Sequence, residues 1–209
     1  MNRLPGFVRQ HIAALRGLLV FTVITGIIYP LFMLGVAQAA FHNKANGSLI
    51  RFHGRVVGSS LLCQEFVGGK GNPLPKYFQP RPSAATSGAT SDYGCNPVYS
   101  AASNLGPTNP KLIAEIKQRQ QQIAAFDHVP ISKIPPDAVT ASGSGLDPSI
   151  TPSNAAIQVN RVAAARHISP AQVEALVTQN TTGRTLGFLG QPAVNVLNLN
   201  IALDDKYPA

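Results

Sequence analysis

The sequence predicts a single N-terminal transmembrane helix followed by one mixed α/β (α+β) domain held outside the cytoplasm. Three observations carry that prediction. From Gly17 to Phe41 no residue is charged, and Leu18 to Ala37 is an almost wholly apolar run of twenty residues. At about 1.5 Å of rise per residue, such a run spans the ~30 Å hydrocarbon core of a bilayer. The remainder of the chain, residues 42–209, is long enough for one ordinary domain and too short for two large ones. Within that stretch strand-like apolar runs stand near both ends, and helix signatures lie between them.

The predicted order is a cytoplasmic tail over residues 1–16, the membrane helix over 17–41 and the outer domain over 42–209. The tail carries Arg3, Arg9 and Arg16, and Lys44, Arg51 and Arg55 match them in number beyond the helix. Long domains translocate whatever their charge, so only the short tail decides orientation, and it favours the cytoplasm. The formal charge of +8 is concentrated early: up to Arg81, nine basic side chains meet one acid, Glu65, and from Pro82 onward bases and acids balance. A basic surplus flanking an apolar rod suits lipid head groups. It does not suit a nucleic-acid binder, whose positive charge lies on the folded face that meets phosphate.

A cleaved signal peptide is the competing reading, since Ala37, Gln38 and Ala39 spell an A-x-A cleavage site. Cleavage after Ala39 would release an exported soluble binding or cell-wall protein. The apolar run exceeds the roughly 7 to 15 residues of a signal h-region, which favours the permanent anchor. Inside the anchor, Pro30 has no amide to donate and crowds the carbonyl of Gly26, so a kink is expected there. Thr22, Thr25 and Gly26 are small enough to form a packing face for a partner helix, or else they face lipid.

The outer domain opens with Ser48 to Phe52 and Val56 to Phe66, short apolar runs split by Gly54 and Gly58 that read as two or three strands. From Val67 to Thr108 the chain is rich in Gly, Pro, Ser, Asn and Thr, longer than most connections. A flexible linker is one reading, but Tyr77, Phe78, Tyr93 and Tyr99 argue for order. Three helices then share one opening device, a capping residue followed by proline: Asn109-Pro110, Thr151-Pro152 and Ser169-Pro170. The cap accepts an orphan amide and proline has none to leave unpaired. Ser169 and Gln172 add a capping box. The apolar faces of these helices are Leu112, Ile113, Ile116 and Ile123, then Val159, Val162 and Ala163, then Val173, Leu176 and Val177. The run Val194 to Leu203 alternates apolar residues with Asn and reads as a strand with a bulge. Cys63 and Cys95 are the only cysteines, an even number in an exported domain. They form either a disulfide or two separate buried thiols, and they lack the spacing of a zinc or thioredoxin motif.

Catalytic motifs are missing where they would be needed. The stretch Gly68 to Asn72 lacks the spacing and the hydroxyl of a phosphate-binding loop. None of the six aspartates stands in the DKTG setting of an ion-pumping ATPase, so this chain is not the phosphorylated subunit of such a pump. Ser144 lacks the flanking glycines of a nucleophile elbow, and SGSGLDP reads as a tight polar turn. The five histidines, His11, His42, His53, His128 and His167, show no metal spacing and read as surface residues. No catalytic or metal-binding residue is therefore expected.

Four segments form a signature of a different kind: YFQPRPSA at Tyr77 to Ala84, ASNLGPTNP at Ala102 to Pro110, DAVTASGSGLDP at Asp137 to Pro148, and GRTLGFLGQPAVNVL at Gly183 to Leu197. With the anchor, they resemble the C subunit of the bacterial high-affinity potassium-transporting ATPase, the Kdp complex, over nearly the whole chain. Ser149 stands where His is common in that family, Gln191 where Glu is common and Cys63 where Gly is common. The resemblance implies an accessory subunit of a cytoplasmic (inner) membrane pump, needed for assembly and high affinity. Its partners would be a potassium-channel-like subunit and an ATP-hydrolysing subunit, with membrane lipid and no nucleic acid. It also implies a catalytic chaperone that raises ATP affinity in the motor subunit, a role the outer placement opposes. The chain itself would bind no cofactor; ATP and potassium belong to the complex. Potassium sheds its water onto neutral oxygens, so Ser, Thr, Asn and backbone carbonyls are adequate to line its path. The candidate surface for partner contact and ion access is Gln79, Arg81, Ser83, Ser103, Asn104, Asn109, Ser142, Ser144, Asp147 and Arg184. The alternative for these residues is that they cap helices and hold turns.

Overall fold

The computed structural model describes residues 5–69, 71–86 and 95–208. Arg3, Lys70, Asp92 and Tyr93, with residues 87–94 of the loop-rich stretch, lie outside the described residues. The chain divides into two units, Met1–Ser48 and Leu49–Ala209.

In the first unit α1 (Gly6–Val23), a π-helical turn (Ile24–Ile28) and α2 (Tyr29–Ala40) succeed one another without a break. The rod is 35 residues, long and apolar enough to cross a membrane, and it begins at Gly6, inside the segment expected to be a tail. The π turn is the local answer to Pro30. Since proline supplies no amide, the winding widens ahead of it, and the Tyr29 amide donates to the carbonyl of Ile24. The Thr25 hydroxyl donates to the Phe21 carbonyl at 2.7 Å. A short α3 (His42–Ala45) closes the unit.

The second unit is a mixed helix and sheet domain. It opens with an antiparallel hairpin of β1 (Leu49–Phe52) and β2 (Arg55–Ser59). His53 and Gly54 both have positive φ at its turn, the geometry of a two-residue I′ hairpin. The strand expected to continue to Phe66 stops at Ser59. Gly58 lies within β2 because Gln64 and Leu197 pack over it: a Cβ there would meet their side-chain ends at 2.5 and 2.7 Å.

The helices with proline starts form as their caps require. α4 (Pro110–Asp127) is capped by Asn109, α6 (Pro152–Arg166) by Thr151, and α7 (Pro170–Gln179) by Ser169 with both halves of the capping box present. A 3₁₀ turn (Ile131–Lys133) and a short α5 (Pro136–Val139) lie between the first two. The apolar faces of α6 and α7 are buried as expected, but α4 buries only Asp127 and leaves Ile113 exposed.

A second sheet runs in the order β3 (Ser149–Ile150), β5 (Ala193–Asn195), β4 (Thr181–Thr182), antiparallel throughout, with Ile150 and Thr181 both opposite Val194. The end of the chain corrects the sequence reading. Only Ala193–Asn195 is strand, and from Val196 the chain winds into α8 (Val196–Lys206). The Asn195 side chain accepts the Asn198 amide at 3.0 Å and starts the helix. Val196, Leu199 and Leu203 then repeat at helical spacing and are buried. They join Phe78, Ile150, Val162, Val173 and Val194 in one core.

The loop-rich segment ahead of α4 is not a linker at residues 75–85, where Phe78 is fully buried. Backbone polar groups this deep need partners, and side chains from α6 and α8 supply them. The Phe78 amide and carbonyl both bond the Asn200 amide group at 2.9 Å, and those of Gln79 bond Gln158 at 2.8 and 3.2 Å. Arg161 donates to the carbonyls of Pro75 and Tyr77, and Arg166 to that of Lys76. The segment behaves as a strand whose neighbours are side chains.

Two ion pairs, one buried and one partly exposed at its carboxylate, complete this ladder. Arg161 donates through Nε to Asp127 at 2.6 Å with both side chains about 5% exposed, and its guanidinium lies 4.3 Å over the Phe126 ring. Arg166, fully buried, reaches Asp204 at 2.8 Å. The same carboxylate accepts the Tyr77 hydroxyl at 3.0 Å. Burial chiefly, and next the Asp204 contact, push the Tyr77 hydroxyl above its ordinary pKa.

Candidate partner and ion-access surface

The motifs with unusual density of Ser and Gly meet in one place. The turn Ser142 to Asp147 is built around Gly145, whose φ is +71°. Its amide donates to the Ser142 hydroxyl oxygen at 2.8 Å, and its carbonyl accepts the Ser83 hydroxyl at 2.6 Å. Ser83 Oγ also accepts the Ala85 amide, so the hydroxyl both donates and accepts. The carbonyl of Ser144 accepts the Ala101 amide and the Ser100 hydroxyl, and the Leu146 carbonyl accepts the Cys63 amide. Arg81 closes the turn from the other side: it donates to Asp147 at 3.1 Å and twice to the Thr140 carbonyl. Asp147 in turn accepts the Ser149 amide. The Arg81–Asp147 pair is a quarter exposed on average, so its value lies near about 1 kcal/mol.

Cys63 and Cys95 are joined beside this turn, with Cα atoms 6.1 Å apart. Glu65 accepts the Cys95 amide at 2.7 Å. Segments around 63, 81–85, 95–101 and 140–147 are thus pinned to one another.

Gly145 is the tightest point. A Cβ there would come within 2.6 Å of the Ala101 carbonyl oxygen, 2.9 Å of Ser83 Oγ and 3.0 Å of the Ala85 Cβ. Backbone at 2.6 Å cannot swing aside, and positive φ adds strain of about 1–3 kcal/mol. Gly145→Ala is expected to lower the midpoint of thermal unfolding by at least that equivalent; an unchanged midpoint would show that the turn is slack.

Of the ten candidate residues, five come together here: Arg81, Ser83, Ser142, Ser144 and Asp147. Ser83 and Ser142 are buried, so they correct the expectation of a surface, and only Ser144 among the five is exposed. Gln79 is a second correction. It is buried, and its Nε2 donates to the carbonyls of Phe66, Leu74 and Tyr77. The chemistry of these polar side chains suits water and backbone alike, which is why the sequence places them on the surface, and the folded backbone claims them. Asn109 caps α4. Ser103 and Asn104 are exposed, Asn104 with φ of +52°, and Arg184 is exposed at the start of the β4–β5 turn. Ser83 and Ser103 share a cleft of about 300 Å³ with Lys111, Glu115 and Arg119. Two cations against one carboxylate make that cleft a poor resting place for potassium.

The sequence reading missed Asp127, Arg161, Arg166 and Asn200. Arginines on the apolar face of α6 and an asparagine amid the leucines of α8 were the available signal, since a charge or amide facing a core is held there by a partner.

These features define a class: a small chain with one helix of membrane-crossing length and a compact mixed domain braced by buried arginines, with no cluster of three His, Cys, Asp or Glu side chains among the described residues. The family model described as "KdpC: K+-transporting ATPase, c chain" matches residues 11–205, and the chain belongs to that family. A potassium-transporting ATPase KdpC subunit of Mycobacterium bovis (strain BCG / Pasteur 1173P2) is 49% identical over 197 residues, 94% of this chain and 98% of that one. The KdpC subunit of Sorangium cellulosum is 51% identical over 187 residues, 90% and 93% of the two chains. That of Methylococcus capsulatus is 49% identical over 191 residues, 91% and 95%. The chain is accordingly a subunit of a potassium-transporting ATPase complex. The exported binding or cell-wall protein is left without support.

Proposed function

We propose that this chain is a non-catalytic accessory subunit of the pump, anchored in the cytoplasmic membrane with its N-terminus in the cytoplasm and its domain outside. It serves assembly and high potassium affinity, and the domain lies over the outer entrance of the channel-like subunit, with the ATP-hydrolysing subunit as the other partner. The outer placement draws support from the joined Cys63 and Cys95, since disulfides persist in oxidising compartments. ATP, in the cytoplasm, is then out of the domain's reach, and nucleotide chemistry falls to the motor subunit.

One observation carries the partner role. The buried Ser83 and Ser142 brace the Gly145 turn that leaves Ser144 exposed, the Ser144 carbonyl holds the Ala101 amide just ahead of exposed Ser103 and Asn104, and Arg184 stands exposed on a separate loop. Held polar groups at loop ends suit recognition of a neighbouring subunit, because little side-chain and loop freedom remains to be lost on contact. The chain's contribution to potassium affinity is then to shape the channel entrance from a fixed platform.

The combined variant Ser103→Ala and Arg184→Ala, in the assembled complex, is expected to raise the potassium concentration for half-maximal ATPase about fivefold to tenfold, the equivalent of roughly 1–1.4 kcal/mol. Assembly and affinity both equal to the unsubstituted complex would sink this role for the exposed set.

A further inference from the structure

We propose that the open face of the β1–β2 hairpin is a lipid-docking surface that binds the anionic headgroups of the membrane; the proposal rests on reading the N-terminal rod as a permanent anchor. A two-stranded hairpin is marginal unless one face is covered. Ile50 and Phe52 are half-buried and supply that covered side. On the other side Leu49 is 52% exposed and Val56 48% exposed, and Val56 is the cross-strand partner of exposed Arg51. Arg55 is exposed beside the turn, where it pairs with Phe52 on the other side of the hairpin, so Arg51 alone stands on the open face; neither arginine makes an ion pair among the described residues. The apolar side continues into a groove of about 360 Å³ that Leu49, Val56 and half-buried Val57 line together with Leu62 and Pro97. The one acid lining it is Glu65, whose carboxylate is engaged by the Cys95 amide.

Charge complementarity selects the occupant. Guanidinium groups fork onto phosphate oxygens, and aliphatic side chains beside them sink to the headgroup and acyl boundary. A protein-contact core, in contrast, favours aromatic residues, and none stands on this open face. Proximity favours lipid as well. Eight residues separate Ala40, the last residue of α2, from Leu49. Their reach is at most about 30 Å, so the hairpin is held at high local concentration near the bilayer that the rod crosses.

The chain contains no tryptophan, so Val56→Trp gives a single reporter. The full chain is reconstituted into phosphatidylglycerol or phosphatidylcholine vesicles with brominated acyl chains, and Ile131→Trp serves as the comparison. Fluorescence at position 56 is expected to be quenched at least twofold more in phosphatidylglycerol than in phosphatidylcholine, and more than at position 131. Each basic residue is worth roughly fivefold in docking, so removing both arginines with Arg51→Gln and Arg55→Gln is expected to shift that equilibrium about 25-fold toward the undocked state. Flotation of the same vesicles after an alkaline wash reports the anchor separately. A chain that floats without lipid quenching at position 56 overturns the lipid face alone, and one that does not float overturns the anchor and the lipid face together. Equal quenching of both reporters, or emission that responds only when the other pump subunits are added, assigns the face elsewhere and also overturns it.

Discussion

Arg161→Ala is expected to cost the domain about 3–5 kcal/mol, a large share of the roughly 5–15 kcal/mol that holds an ordinary domain folded. The loss has three sources. Asp127 keeps its burial without its partner, the Pro75 carbonyl loses its donor and the Tyr77 carbonyl the shorter of its two, and Gln158 loses a bond at 2.8 Å. Denaturant unfolding of the detergent-solubilised chain measures the effect, and a loss under about 1 kcal/mol would show that water replaces the guanidinium. Acidity adds a second readout. Burial, outweighing the help from Arg161, already raises Asp127 above its ordinary 3.8. A group with a raised folded pKa contributes stability below its ordinary value and loses it as pH rises through the raised one. Without Arg161 that midpoint moves higher still, so the variant is expected to regain part of its deficit on acidification. A deficit that stayed constant on acidification would contradict this account of Asp127.

Cys63→Ser with Cys95→Ser is the second large effect, about 3–4 kcal/mol on the chain-entropy model for a sequence separation of 32. The bridge also fixes the segment that carries the Ala101 amide onto the Ser144 carbonyl, so the turn around Gly145 is expected to loosen with it. Comparing unfolding midpoints of the two forms without reductant decides the matter. Equal midpoints, or two reactive thiols in folded protein purified without reductant, would remove the bridge from the account of stability and weaken the case for an oxidising compartment.

What the sequence made legible was local. The long apolar helix showed through its composition, and the helix starts at Pro110, Pro152 and Pro170 through caps that need only three or four neighbouring residues. Val194 to Leu203 misled because its apolar residues fit both a period of two and a period near four. Asn195 as a cap and Asn200 on the Phe78 backbone settle it as helix, and the second of these lies 122 positions away in the chain. The ladder at residues 75–79 was illegible for the same reason, since its partners are side chains of α6 and α8 rather than a neighbouring strand. In the candidate surface, chemistry could not separate Ser83 from Ser103. One is buried under Gly145 and the other is open to solvent, a difference that only tertiary packing creates.

The π turn at Ile24–Ile28 has a geometric outcome for the apolar rod. It adds one residue to the winding, and one residue is about 100° of azimuth on a helix. A stripe of side chains traced down α1 therefore resumes on α2 at a different compass bearing. Side chains above and below the turn point in two directions from one rod, and deleting a single residue within the turn would swing them into line.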